Sequence, residues 1–335
     1  MLRFAMTRAT RVLLPLALAA CAPRLGPPKV VYGPEPAILP LVHPSTDTRR
    51  WYVPVDAGEA GSWVFFVDTG YTHSTCDDGF VEALGVAERG HSRVYGELGS
   101  IRTGKAKLPP LQIGDHRVED LVCQTRDLAA TSSISDPPEV PVAGVLGMDV
   151  FRRFRTRFDA GTGQIELLPP DTAEPLREGT STLKLRREQL GFGLRTHLEL
   201  SVDGLPTRAL VDTGATDTYI DGQKLGMSPS VVREGVTMRG TGQTSSRKVD
   251  VLHYDVERVA LGTTVVGPVT LTDRKARLGS PGLLGQDVLG LLRADFDWGR
   301  GWASFVQVAP ADLPMWAVWS LQPEGDVITV APAAD

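Results

Sequence analysis

The stretch FFVDTGYTHS (65–74) drives an aromatic and aliphatic run straight into an aspartate, and ALVDTGATDT (209–218) does the same. One Asp-Thr-Gly at the end of an apolar run reads as a turn, because Asp bonds its own backbone and Gly tolerates tight geometry. Two of them, with acids at Asp68 and Asp212, suggest an internal repeat that can be followed outward in both directions.

Upstream, WYVPVDAG (51–58) leads into WVFFVDTG (63–70), and THLELSVDG (196–204) leads into TRALVDTG (207–214). Each pair reads as a β-hairpin whose second strand ends in Asp-Thr-Gly. Downstream, LPPLQIGDHRVEDLVCQTRD (108–127) is echoed by VERVALGTTVVGPVTLTDR (256–274), both strand–Gly turn–strand. GVLGMDVFRRF (144–154) is echoed by GLLGQDVLGLL (282–292), and FDAGTGQIELLP (158–169) by FDWGRGWASFVQ (296–307). Four landmarks recur in one order, so the chain reads as a duplicated β lobe. The expected organisation is a lobe over 49–169, a linker over 170–180, a second lobe over 181–308 and a tail over 309–335. The tail reads either as an edge strand or as a cover for the lobe interface.

Composition agrees. The 335 residues include 35 glycines and 25 prolines, and long stretches of helical period are scarce, which suits many short strands joined by tight turns. The fold class read from the sequence is all-β, two tandem lobes about a pseudo-twofold axis. Arg3, Arg8 and Arg11 precede a short apolar core at 12–20, the layout of a signal peptide over 1–20. Leu18-Ala19-Ala20-Cys21 resembles a bacterial lipobox, with Cys21 as the lipidated residue; an ordinary cleavage site is the alternative. Residues 21–48 hold seven prolines and read as a semi-stiff tether, although AILPLV (37–42) is apolar enough to pack on the body. This places the protein in a bacterial cell envelope, lipid-anchored and facing the periplasm or exterior. Removing the three signal arginines takes the formal net charge from −5 to −8, and no basic cluster interleaves with aromatics, so nucleic acid is not an expected partner. Cys76 and Cys123 remain, either a disulfide or two buried thiols.

Two copies of a lobe pack as subunits of a twofold dimer do, so a repeated loop can face its twin across the axis. Asp68 and Asp212 then become neighbours, and two carboxylates so close share one proton. One can act as base on a water held between them while the other protonates a substrate carbonyl. Gly70 and Gly214 let the loops approach, and the Thr69 and Thr213 hydroxyls are placed to bond across to the opposite loop.

With those residues in place, the halves resemble tandem retropepsin-like aspartic protease domains, similar to bacterial forms with both lobes in one chain. The family pattern, apolar-apolar-Asp-Thr-Gly with a distal apolar-apolar-Gly, stands here as Val67-Asp68-Thr69-Gly70 with Val145-Leu146-Gly147, and as Val211-Asp212-Thr213-Gly214 with Leu283-Leu284-Gly285. The resemblance implies an aspartic endopeptidase with Asp68 and Asp212 as catalytic residues, the distal Gly147 and Gly285 beside their loops, and an extended peptide or unfolded protein as substrate. It implies no cofactor, no metal and a monomer. It also implies flaps, for which VYGELGS (94–100, with Tyr95 and Gly96) and MRGTGQTS (238–245, with Gly240 and Gly242) stand between triad and distal glycine. Ordinary surface hairpins are the alternative reading. Tyr71 departs from the pattern, which has a small residue there; the ring fills a pocket, shifts the loop or points into the lobe. That departure motivates a rival expectation, a catalytically silent peptide-binding envelope lipoprotein; a second rival uses the pair on another bond.

Other candidates read as structural. Asp159 and Asp297 sit in Phe-Asp-x-Gly hairpins as turn formers. Asp149 and Asp287 follow the distal glycines and read as caps of short helices. Trp51, Trp63, Trp298 and Trp302 read as core fillers. The six histidines show no metal-ligand spacing, and His73 and Ser74, adjacent on a strand, would face opposite ways.

Overall fold

The computed structural model describes residues 23–41, 50–96, 99–128, 142–172, 181–190, 193–239, 246–274, 282–309, 319–324 and 327–332. The sequence hairpins form as read. Tyr52–Asp56 pairs antiparallel with Ser62–Val67, and Gly193–Val202 with Leu205–Val211. The second turn holds Asp203 and Gly204 at φ 48° and 83°, the left-handed pair that a two-residue hairpin turn requires. At the first turn the Asp56 carboxylate accepts the Gly58 amide at 2.8 Å.

Each half builds one large sheet in the same strand order. In the first, Tyr52–Asp56, Ser62–Val67, Val142–Leu146, Thr75–Asp77, Val122–Arg126, Gly99–Lys107 and His91–Gly96 lie side by side. In the second, Gly193–Val202, Leu205–Val211, Gly282–Leu284, Tyr219–Ile220, Val269–Arg274, Ser246–Val256 and Val231–Arg239 repeat that order. The strand leading to each Asp-Thr-Gly is therefore central, and its partner on one side is the parallel strand that ends at the distal glycine. The architecture is two tandem all-β lobes.

A third, six-stranded sheet joins the halves. Arg155–Asp159 from the first half pairs antiparallel with Leu292–Asp297 from the second, with Gln164–Leu168 and Trp302–Gln307 outside them. Two arginines meet Asp295 across this seam, Arg155 at 2.8 and 3.0 Å and Arg157 at 3.0 Å, and Arg157 also meets Glu166 of its own half at 2.9 Å. Buried charges tolerate such a site only when fully partnered, as these are. The apolar core is continuous from Trp51, Phe65 and Val67 through Phe158 and Phe296 to Val211 and Leu284.

Three readings need correction. The stretch 21–48 is not all tether: Lys29–Val31 pairs with His116–Glu119, and Ala37–Pro40 forms the edge of the six-stranded sheet, burying Ala37, Leu39 and Leu41. Its alternating apolar residues make it a strand despite Pro40, because an edge strand spares one amide row. Trp302 is 40 % exposed, whereas Trp51 and Trp298 are buried; it lies on the outer side of its strand. Of the two readings left open for the tail, an edge strand is not seen among the described residues: Trp319–Glu324 and Val327–Pro332 pair with each other as a separate two-stranded hairpin. The open question at Cys76 and Cys123 resolves as a disulfide, with Cα atoms 5.8 Å apart, linking Thr75–Asp77 to Val122–Arg126.

Candidate active site

Four apolar residues carry the first strand inward: Phe65 and Val67 enter the main core, and Val64 and Phe66 enter a smaller cluster on the opposite face. The strand then breaks at Asp68. Its amide donates to the Leu146 carbonyl at 3.0 Å, and the Asp212 amide donates to Leu284 at 3.1 Å. Each aspartate turns its loop with its own side chain. Asp68 Oδ1 accepts the amides of Gly70 (2.9 Å) and Tyr71 (3.0 Å), and Asp212 Oδ1 accepts those of Gly214 (3.0 Å) and Ala215 (3.1 Å).

The loops interlock. The Thr69 amide donates to Thr213 Oγ1 at 3.0 Å, and Thr69 Oγ1 donates to the Val211 carbonyl at 2.9 Å. In return the Thr213 amide donates to Thr69 Oγ1 at 3.1 Å, and Thr213 Oγ1 donates to Val67 at 2.9 Å. Both threonines are fully buried, so four hydrogen bonds fix one loop on the other away from water.

This brings the two acids together. A Cβ on Gly70 would stand 2.5 Å from Asp212 Cγ, and a Cβ on Gly214 would clash with Asp68 Cγ. Any side chain at either glycine would occupy the space of the opposite carboxyl group. Asp68 is buried and Asp212 half-buried. Burial first, and the neighbouring Asp212 carboxylate second, hold the Asp68 carboxyl well above the usual carboxylate range.

A second pair of bonds locks the distal glycines. The Met148 amide donates to the Tyr71 carbonyl at 2.8 Å, and the Gln286 amide to Ala215 at 2.9 Å. A Cβ on Gly147 would stand 2.9 Å from the Tyr71 carbonyl oxygen, and one on Gly285 2.5 Å from that of Asp217. Close approach of backbones, not an unusual φ, requires glycine here. Asp149 and Asp287 do not cap the helices Met148–Phe151 and Gln286–Leu289; Gly147 and Gly285 hold those positions without a side-chain bond. Instead Asp149 accepts the amide and hydroxyl of Ser74 at 2.9 and 2.7 Å, and Asp287 accepts those of Thr218 at 2.8 and 2.5 Å. The same hydroxyls accept the amides of Gly147 and Gly285. Recurrence of Asp149 and Asp287 in both halves was the available signal; read as helix caps, they instead clamp the residues that follow each tip.

The family model described as aspartyl protease matches residues 53–150 and 198–288, one segment in each half and together more than half of the chain. The chain belongs to the aspartyl protease family. No curated protein matches it. Each of the two family segments contains one Asp-Thr-Gly and one distal apolar-Gly strand, so the family pattern is present twice.

Tyr71, the departure from that pattern, does not distort the loop: the turn at Asp68 and the turn at Asp212 match bond for bond. The ring packs with Tyr52, Val64, Phe66 and Val145. Its hydroxyl accepts a bond from Arg126 Nη2 at 3.3 Å. Arg126 had no sequence signal; strand pairing brings it there across 55 positions.

The hairpins expected as flaps are present in part. His91–Gly96 pairs with Gly99–Lys107, Tyr95 opposite Ser100 and Gly96 opposite Gly99, and Tyr95 is 71 % exposed. Val231–Arg239 pairs with Ser246–Val256, but Gly240 and Gly242 lie outside the described residues, as does Cys21. Asp159 and Asp297 form their turns as read, accepting amides of Gly161 and Arg300. Among the described residues, no three His, Cys, Asp or Glu side chains converge as metal ligands.

Proposed function

We propose that this protein is an aspartic endopeptidase in which Asp68 and Asp212 act as one unit on a shared water. The observation that carries the reading is the reciprocal seating of the two carboxyl groups, each against the other loop's glycine. Such a pair holds a single proton across a mildly acidic range. The ionised member takes a proton from water as its oxygen attacks the peptide carbonyl carbon, and the protonated member gives its proton to the carbonyl oxygen. Transfer of a proton to the amide nitrogen then releases both products, with no covalent enzyme intermediate. The grip between Thr69 and Thr213 keeps the acids in place while their protonation changes, which is the rigidity general acid–base work demands. An extended peptide would lie between the lobes, beneath the hairpin carrying Tyr95 and Gly96 and the paired strands Val231–Arg239 and Ser246–Val256 of the second half.

The same proposal places the chain in the bacterial envelope, anchored through lipid on Cys21 after removal of 1–20. The Cys76–Cys123 disulfide supports an oxidising compartment. Replacing Cys21 by Ser is expected to move the protein from the membrane to the soluble fraction.

The deciding experiment assays the mature chain against an unstructured protein, beside Asp68→Asn and Asp212→Asn. Cleavage by the wild type, blocked by a statine peptide and reduced by about 10²–10⁴-fold or more in each variant, is the expected result. The silent peptide-binding alternative rests on Tyr71 standing where the family pattern has a small residue; substrate bound but left intact by the wild type would establish it.

A further inference from the structure

Arg126 ends the strand Val122–Arg126 and is only 5 % exposed. Its Nη2 reaches the Tyr71 hydroxyl, and its Cζ lies 6.0 Å from the Tyr71 ring centroid. Among the described residues, its Nε and Nη1 are buried without a hydrogen-bond partner. The contrast with the interlobe seam is sharp, since Arg155 and Arg157 are each paired with carboxylates there. A guanidinium cannot shed its charge, so leaving donors of this kind dry and unpaired is costly. Fully partnered burial is the rule, and exceptions call for an explanation.

Location supplies one. Tyr71 follows the Asp-Thr-Gly tip directly and senses the charges of both Asp68 and Asp212. Phe66 and Val145, in its cluster, lie on the face opposite Phe65 and Val67, away from the main core and next to the tip. Arg126 is thus bonded to the side chain of the residue whose backbone amide donates to Asp68 Oδ1 at 3.0 Å. Gln124, two positions earlier and so on the same face of that strand, donates to Ser92 Oγ at 2.8 Å and to the Arg93 carbonyl at 3.1 Å, on a strand of the first flap candidate.

We infer that Arg126 and Tyr71 form a subsite for a substrate carboxylate beside the scissile bond. This rests on the endopeptidase reading and adds its specificity. A carboxylate arriving there supplies acceptors for Nε and Nη1 in a desolvated setting, where charge-assisted bonds are strong. An amide of equal size offers one neutral acceptor and brings its own unpaired N–H groups. The carboxylate can come from an Asp or Glu side chain or from a peptide's free C-terminus.

The test uses matched peptides with Glu or Gln flanking the cleaved bond, each with a free or amidated C-terminus, and the corresponding statine peptides. With the wild type, kcat/KM for Glu is expected to exceed that for Gln by about tenfold or more, and the Glu statine peptide to bind more tightly by a similar factor. In Arg126→Gln both ratios should fall to about one, and Arg126→Lys should restore part of the preference. If the preference follows C-terminal amidation instead, the carboxylate is the terminal one. Equal wild-type handling of Glu and Gln, free and amidated alike, overturns the subsite. So does a preference that survives in Arg126→Gln. If no peptide is cleaved but the statine peptides still discriminate Glu from Gln, hydrolysis fails while the subsite stands.

Discussion

Thr69 and Thr213 each donate a hydroxyl proton to the backbone before the other's loop and each accept the other's amide. One hydroxyl thus satisfies two buried backbone groups, and the pair closes on itself. Replacing Thr69 by Val keeps the shape but strands the Val211 carbonyl and the Thr213 amide. The expected cost is about 2–4 kcal/mol of stability, from two buried groups left unpaired. Thr69→Ser retains the hydroxyl and should lose much less. Denaturant titration of the two variants checks this; equal losses would mean that the methyl group, not the hydroxyl, matters.

The raised carboxyl at Asp68 is expected to set the pH dependence of the proposed activity. In the proposed mechanism the working form of the pair holds one proton, so activity should fall as pH rises through that raised value and the proton leaves. Activity should also fall in strong acid, where no base remains. The profile of kcat/KM is therefore expected to be bell-shaped with its maximum in mild acid. A rate that stays flat up to about pH 9 would remove the shared proton from the mechanism.

How much of this was legible follows from how far apart the interacting residues lie in sequence. The strand–Asp-Thr-Gly tips could be read because their apolar run, acid and glycine are contiguous, and because the second copy repeats them. The distal Gly147 and Gly285 could be read for the same reason, through the matching apolar pairs Val145-Leu146 and Leu283-Leu284. Arg126 could not: it has no counterpart signal, and only parallel pairing of Thr75–Asp77 with Val122–Arg126 carries it to Tyr71. The six-stranded seam was likewise hidden, since Arg157 meets Asp295 across the two halves and local pattern does not encode such pairing. Trp302 misled because bulk and hairpin position say nothing about which face of the strand it takes. Asp149 misled because its partner, Ser74, lies 75 positions back.

The Cys76–Cys123 disulfide closes a separation of 47 residues next to the first tip. By loop-closure entropy, a crosslink of this span is worth about 4 kcal/mol. Cys123→Ser with Cys76→Ser is expected to lower stability by an amount of that order, and reductant should have no further effect on the double variant. Wild-type stability unchanged by reduction in denaturant would show that the crosslink contributes nothing.

Asp149 is expected to provide a pH-dependent stability that can be separated from the proposed catalysis. It is buried, and burial pushes its carboxyl up to about 6, against the lowering effect of the bonds it accepts from Ser74 and Val150. Between the unfolded value near 3.8 and the folded value, the native state binds a proton that the unfolded chain has released. The sign follows: the protonated acid's contribution is fully present below about pH 4 and is lost as pH rises through about 6, a change of about 3 kcal/mol. Asp149→Asn cannot titrate and should lack that change. Denaturant unfolding of both proteins from acid to neutral pH reads it as a difference, with the wild type declining relative to the variant as pH rises. Parallel curves across that window would place the Asp149 carboxyl at its ordinary value, and the clamp on Ser74 would then be ionised throughout.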